Sequence, residues 1–192
     1  MELFIIGIIS YLMGSIPFGL ILTKVFLKKD IREIGSGNIG ATNVLRTGNK
    51  LAALLTLMLD GLKGFVSVYI VYELFGLTAA QFSGIFVFIG HLLPIFNRFK
   101  GGKGVATFFG IIGALNLWLF LCCAFIWLVI AFLFKRSSLS SLIASLTSLC
   151  FTYPLGIQHN IWLLIPLVIG IFVSHRTNII RLVIGSEPKI GK

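Results

Sequence analysis

"GVATFFGIIGALNLWLFLCCAFIWLVIAFLF", residues 104–134, is an apolar run without a single charged side chain. As one helix rising 1.5 Å per residue it would measure about 46 Å, well beyond the ~30 Å hydrocarbon core of a bilayer. Two helices fit better, and Asn116, following Gly113 and Ala114, is the best turn signal inside the run. The first of the pair is then only about 12 residues long and spans ~18 Å, so its Lys103 end begins below the membrane surface. How this run divides sets the number of spans, and with it the side on which every loop lies.

The rest of the chain is of the same kind. It is 57% hydrophobic with 18 Phe among 192 residues, and charged residues make up 11%, against ~25% in soluble domains; mean hydropathy is +1.03. Segments 3–27, 51–75, 79–97, 104–116, 117–134, 138–155 and 161–175 read as seven spans. The expected fold is therefore an all-α integral membrane protein, a bundle of seven transmembrane helices in a single domain over 1–192, with one short half-membrane helix after a Gly-rich loop. The first segment is too long for a signal-peptide core and has no A-x-A-like cleavage site, so it reads as a retained helix. Cys122, Cys123 and Cys150 have neither metal-ligand nor disulfide spacing and read as packing residues.

Charge sidedness tests the count. With seven spans, Lys24, Lys28, Lys29, Arg32, Arg46, Lys50, Arg98, Lys100, Lys103, Lys135, Arg136, Arg176, Arg181, Lys189 and Lys192 fall on one face, while Lys63 lies inside a span. The other face carries Glu2 and Glu73 and no Lys or Arg. The positive-inside rule then places the N-terminus outside and the C-terminus in the cytoplasm. Merging 104–134 into one span would scatter the charges. A net charge of +10 could also suit nucleic acid, but a juxtamembrane collar accounts for it without one.

Polar residues gather in three places on the basic face. "EIGSGNIGATNVLRTGNK", residues 33–50, matches Gly-x-Gly-x-x-Gly at Gly35, Gly37 and Gly40, yet neither the strand nor the sheet of a dinucleotide fold is available. It can still cradle phosphate: glycines let backbone N–H groups turn together, and Ser36, Asn38, Asn43 and Arg46 add donors. "GHLLPIFNRFKGGKGVAT", residues 90–107, fails the Walker A pattern because Gly104 stands where Ser or Thr should follow Lys103. What survives is an open backbone at Gly101, Gly102 and Gly104 before a helix N-terminus, with Lys103 beside it. His91 near Pro94 reads as a hydrogen-bonded structural histidine. In "SHRTNIIRL", residues 174–182, His175, Asn178 and Arg181 share a face if the helix continues. Inside the second span Asp60 and Lys63 are one turn apart, and the cost of charge in lipid predicts that they face the bundle interior and pair. Nothing resembles a carboxylate cage or a His-rich zinc site, so metal-free chemistry and no cofactor are expected.

"GSIPFG", "SGNIGATNVLRTG", "DGLKG", "GHLLPIFNRFKGGKGVAT" and "HRTNIIRL" followed by Gly185 and Glu187, in this order over the whole chain, resemble the bacterial acyl-phosphate glycerol-3-phosphate acyltransferases, the PlsY family. The resemblance implies acyl transfer from acyl phosphate to the sn-1 hydroxyl of glycerol 3-phosphate, giving lysophosphatidic acid and phosphate in phospholipid synthesis. It implies a bacterial cytoplasmic (inner) membrane location with the site facing the cytoplasm. The partners expected are the two small substrates and the lipid bilayer, with no nucleic acid and no obligate protein partner. Ser36, Lys103, His175 and Asn178 are the expected catalytic residues, and Asn38, Asn43, Arg46, Lys63, Gly101, Gly102 and Gly104 the expected substrate or phosphate contacts. The His-x4-Asp dyad of other glycerolipid acyltransferases is absent, since Phe96, Leu164 and Ile180 stand five residues after His91, His159 and His175. Two proton acceptors stay open, His175 or an acyl-phosphate oxygen, and the substrate-assisted version is favoured. The rival from another class is a carrier or channel for a phosphorylated metabolite, against which stand the lack of inverted repeats and the one-sided polar clusters.

Overall fold

The computed structural model describes residues 1–190; Lys192, counted above on the basic face, lies outside them. Among the described residues the chain is helical throughout, with no strand. Three helices are long and apolar enough to cross a membrane, Glu2–Leu27, Lys50–Asn97 and Leu117–Phe134, and a fourth if the bent pair Gln158–Ser174 and Arg176–Val183 is one span.

The first span is broken. Helices α1 (Glu2–Gly14) and α2 (Phe18–Leu27) are separated at Ser15, Ile16 and Pro17, because proline has no N–H to continue the ladder. The long loop that follows carries a five-residue helix, α3 (Ala41–Leu45). Helix α4 (Lys50–Leu92) covers both the second and third expected spans. It is not straight: Gly76 takes φ 78° and ψ −177°, a left-handed value that glycine adopts without strain. The Ser67 and Ser83 hydroxyls lie 2.9 Å apart, where a straight helix would separate them by about 24 Å. The chain therefore reverses at Gly76, and α4 is a hairpin of two arms.

The apolar run 104–134 divides as its turn residue predicts. Helix α5 (Val105–Leu115) ends at Asn116, whose extended backbone starts α6 (Leu117–Phe134) and whose side chain accepts the Leu119 N–H at 2.8 Å. At 11 residues α5 covers only about 16 Å. Helix α7 (Ser137–Cys150) is shorter than the expected 138–155 segment, which finishes in turns. Helices α8 (Ile161–Ser174) and α9 (Arg176–Val183) meet at His175 with a bend of 63°.

Packing joins both arms of α4 to α5 and α8 through Val68, Val87, Phe108, Ile111, Leu164 and Leu167, all buried. Small residues permit close approach: a Cβ on Gly14 would stand 2.1 Å from the Val87 carbonyl, and one on Gly110 would stand 2.0 Å from that of Gly61. A second cluster, including Ile31, Ile39, Val44 and Ala52, pins the long loop onto α2 and α4. Cys123 is a packing residue, whereas Cys150 is exposed, against expectation.

Candidate active site

One cavity of about 1040 Å³ gathers the ends of these elements. Its polar end is lined by Ser36, Asn38, Asn43, Arg46, Lys103, Gly104, His175 and Asn178, eight of the eleven residues expected there. Its other end is an apolar groove between the first arm of α4, α5 and α6, with Phe65, Phe109, Phe120 and Trp127 among its walls.

The long loop owes its shape to Asn43. The buried amide donates from Nδ2 to the carbonyls of Ile34 at 2.8 Å and Asn38 at 2.9 Å, and its Oδ1 accepts the Ser36 N–H at 3.1 Å. Asn38 is similarly occupied, its Oδ1 accepting the Gly40 N–H at 2.8 Å in an Asx-type turn. Both amides thus organise the loop as well as line the cavity. Gly35 has φ 55°, and a Cβ there would meet Asn43 Oδ1 at 2.5 Å, so the glycine is required by the Asn43 hub itself. This arrangement brings Ser36, exposed, and Arg46, half-buried, to one wall.

The second wall is Lys103. Its Nζ donates to Asn178 Oδ1, and its carbonyl accepts the Ser174 hydroxyl at 3.1 Å. Asn178 Nδ2 in turn donates to Glu187 Oε1 at 2.6 Å; Ser138 donates to the same oxygen at 2.7 Å, and Arg181 Nε donates to Oε2 at 2.8 Å. Burial lowers the Lys103 amine to about 8; Glu187 opposes this while Arg181 and Arg46 add to it. Burial works to raise the Glu187 carboxyl, but the hydrogen bonds from Arg181, Ser138 and Asn178 prevail and hold it below the usual carboxylate range.

His175 sits at the bend, with Nδ1 2.9 Å from the Ile171 carbonyl. Since that oxygen can only accept, Nδ1 carries the hydrogen and Nε2 is left as the acceptor. The expected continuous helical face of His175, Asn178 and Arg181 is instead a hinge residue followed by a short reoriented helix, and all three still line the cavity.

Three expected contacts do not line it. Lys63 is buried, its Nζ 2.7 Å from Asp60 Oδ1 and donating at 3.0 Å to the Ile16 carbonyl at the break in the first span, which also accepts the Phe18 N–H. The Asp60 approach is an ion pair without hydrogen-bond alignment. Asp60 and Lys63 pair inside the bundle as their spacing predicts, and His91 joins them with Nδ1 3.6 Å from the same Asp60 oxygen. His91 is buried beside this pair without the expected hydrogen bond at Nδ1, and with Asp60 it also reaches the cavity lining. Gly102 is buried against His91, where a Cβ would stand 2.2 Å from Nε2. Gly101 lines a separate cavity of about 450 Å³ with Asp30, Arg32 and Lys100, and a Cβ on it would meet the His91 carbonyl at 2.2 Å. These glycines serve close packing of the loop on α4; of the three, only Gly104 reaches the main cavity.

Glu187 was missed as a site residue. Its signals are its place at the end of the last motif of the family resemblance and a lone carboxylate beside Gly185 and Pro188 in a basic tail. Among the described residues no group of three or more His, Cys, Asp or Glu is placed to hold a metal ion.

Comparison with known proteins bears on this geometry. A family model described as glycerol-3-phosphate acyltransferase matches residues 4–185. A relative named glycerol-3-phosphate acyltransferase from Roseobacter denitrificans is 51% identical over 97% of this chain and 93% of its own length. One of the same name from Dinoroseobacter shibae is 49% identical over 97% and 92%. The crystal structure of PlsY (YgiH), an integral membrane glycerol 3-phosphate acyltransferase, in its glycerol 3-phosphate form superposes with a TM-score of 0.94 at 36% identity, covering 100% of this chain and 96% of that one. Its lysophosphatidic acid form gives 0.90 at 38%, covering 98% and 95%.

Proposed function

The chain belongs to the glycerol-3-phosphate acyltransferase family, and from that premise we propose that it transfers an acyl group from acyl phosphate to the sn-1 hydroxyl of glycerol 3-phosphate. As a PlsY-like integral membrane acyltransferase it belongs to phospholipid biosynthesis. The observation that carries the finer reading is the single cavity that joins Arg46 and Lys103 to an aromatic-walled groove. A phosphate at one end and an acyl chain at the other are what such a cavity accommodates, and solved PlsY structures in glycerol 3-phosphate and lysophosphatidic acid forms support both halves.

In this reading Arg46 and Lys103 hold the phosphate groups by charge-assisted hydrogen bonds, with Ser36 and the first-turn N–H groups of α5 as further donors. The substrate hydroxyl oxygen attacks the acyl carbonyl carbon, the bond from that carbon to the phosphate oxygen breaks, and inorganic phosphate leaves. A phosphoryl oxygen of the donor accepts the hydroxyl proton, because phosphate is already a good leaving group and no strong base is required. Lys103 stabilises the charge that develops, Asn178 orients Lys103, and His175 Nε2 orients the reacting groups as an acceptor. No metal or cofactor takes part. Asn38 and Asn43 shape the phosphate loop, and Gly104 opens the backbone beside it.

The membrane topology belongs to the same proposal: seven spans in one domain, N-terminus outside, C-terminus and site on the cytoplasmic side of a bacterial inner membrane. The reversal at Gly76, the turn at Asn116 and the basic collar support it. The test is purified protein in detergent with chelator present, offered acyl phosphate or acyl-CoA together with glycerol 3-phosphate. Glycerol-3-phosphate-dependent phosphate release from acyl phosphate alone is expected. Efficient use of acyl-CoA, or activity lost with chelator, overturns the reading.

A further inference from the structure

The segment bearing Lys103 is pinned on both sides by one buried charged cluster that the proposed reaction does not use. On the N-terminal side, Gly102 N–H donates to the His91 carbonyl at 3.1 Å, and the imidazole is packed so closely on Gly102 that a Cβ there would stand 2.2 Å from Nε2. On the C-terminal side, the Thr107 hydroxyl donates to the Asp60 carbonyl at 3.0 Å. His91 and Asp60 face one another at 3.6 Å, and Lys63 closes the cluster 2.7 Å from Asp60. Asp60, Lys63 and His91 are each no more than 5% exposed. Lys63 also donates to the Ile16 carbonyl, which ties the cluster to the broken first span.

We propose that Asp60, Lys63 and His91 are positioning residues for Lys103, fixing the short segment from Gly102 to Thr107 so that its amine stands beside Asn178. Charges are costly to place inside a membrane bundle, and a merely space-filling contact would be met by apolar side chains of the same volume. Here the His91 imidazole packs on Gly102 beside the Asp60 carboxylate, and the main-chain carbonyls of His91 and Asp60 hold Gly102 and Thr107 on either side of the functional amine. A displacement of about 1 Å at a reacting site costs on the order of a hundredfold in rate, so a loop rich in glycine needs such anchors. The inference rests on the reading of Lys103 as a phosphate-binding and charge-stabilising group.

Two variants of the intact protein in detergent test it, His91→Gln and the nearly isosteric Thr107→Val. Two readouts are taken: the pH dependence of amine-reactive labelling at Lys103, followed by mass spectrometry, and the pH profile of kcat/KM. Lys103 faces Glu187, Arg181 and Arg46, and its amine titrates near about 8 because it is buried. Loosening the segment gives it more water, so its midpoint and the alkaline limb of activity both move upward, while kcat falls about tenfold or more. A structural role alone lowers the folded yield and leaves the midpoint of the folded fraction where it was. Both variants folded with an unchanged Lys103 midpoint overturn the inference; if His91→Gln fails to fold, Thr107→Val decides in the same way. A shifted midpoint in a protein that releases no phosphate from acyl phosphate upholds the positioning role and rejects the proposed reaction.

Discussion

Lys63 and Lys103 are both lysines next to glycine, and the sequence points to both as site residues, Lys63 for phosphate and Lys103 for catalysis, yet the structure gives them opposite surroundings. Lys63 is sealed with Asp60 and caps a backbone carbonyl. Lys103 stands on a cavity wall where Arg46, Arg181 and Lys189 also gather, opposite Glu187. A cation closed by its own carboxylate and a carbonyl has little capacity left for a ligand. Around the cavity Arg46, Lys103, Arg181 and Lys189 outnumber Asp60 and Glu187, and such an excess of cations attracts anions. What separates structure from function here is the local balance of charge and access, not residue type.

The largest expected effect falls on the sealed cluster. Lys63→Met leaves Asp60 buried without its cation and should cost about 3–5 kcal/mol of stability, read as a lowered Tm in detergent. Asp60→Asn/Lys63→Met should recover much of that loss. A single variant as stable as the parent would mean that Lys63 is not the structural partner described.

On the cavity side, Lys103→Ala and Arg46→Ala should each lower kcat/KM by about ten- to a hundredfold, as expected for charge-assisted contacts of ~1.5–3 kcal/mol, with the protein still folded. The exposed collar residues supply the control: Arg98→Ala and Lys135→Ala should change activity less than about twofold, in the range of ordinary surface substitutions. Equal losses at all four positions would dissolve the distinction between a site and a general surface field.

Glu187→Gln sharpens the comparison through pH. Lys103 is lowered to about 8 and must be protonated to hold phosphate, so kcat/KM should decline as pH rises through that value. Glu187 raises the amine, so its removal should move this alkaline limb downward, with a loss that is small at neutral pH and grows as pH rises toward about 8. A limb that stays in place would separate Glu187 from Lys103.

The smallest effect within the site is expected at His175. If its imidazole were the obligatory base, His175→Asn would lower kcat by the ~10²–10⁴ typical of general-base loss. With a phosphate oxygen as the acceptor, the amide should keep part of the hydrogen bonding and activity should fall less than about tenfold, with the acidic limb of the pH profile surviving. A folded variant reduced about a thousandfold and lacking that limb would make His175 the base.

The sequence was most legible where a local physical rule had no competitor. Asn116 caps a helix inside an apolar run, and Asp60 must find Lys63 in lipid; both appear as read. The gathering of most site residues was legible too, because their three segments converge on one cavity. What was not legible depends on contacts made only in the fold. Gly101 and Gly102 look like an anion cradle until the same segment is seen to fold back and pack them on His91. The bend at His175 carries no proline or glycine, so a helical pattern running through 174–182 gave no warning. Glu187 becomes a site residue only when Ser138, Asn178 and Arg181 converge on it.

The reversal at Gly76 bears on how such a chain enters lipid during synthesis. Asp60 pairs with Lys63 one turn away on the first arm, His91 of the second arm stands beside Asp60, and Ser67 and Ser83 meet across the arms, while Lys63 and Ser83 also reach Ile16 and Ser10 of the first span, made earlier still. Most of the polar load of this part of the protein is therefore neutralised between neighbours made within one short interval of translation. The hairpin can move from the insertion machinery into the bilayer as one unit, before the later helices exist to shelter it.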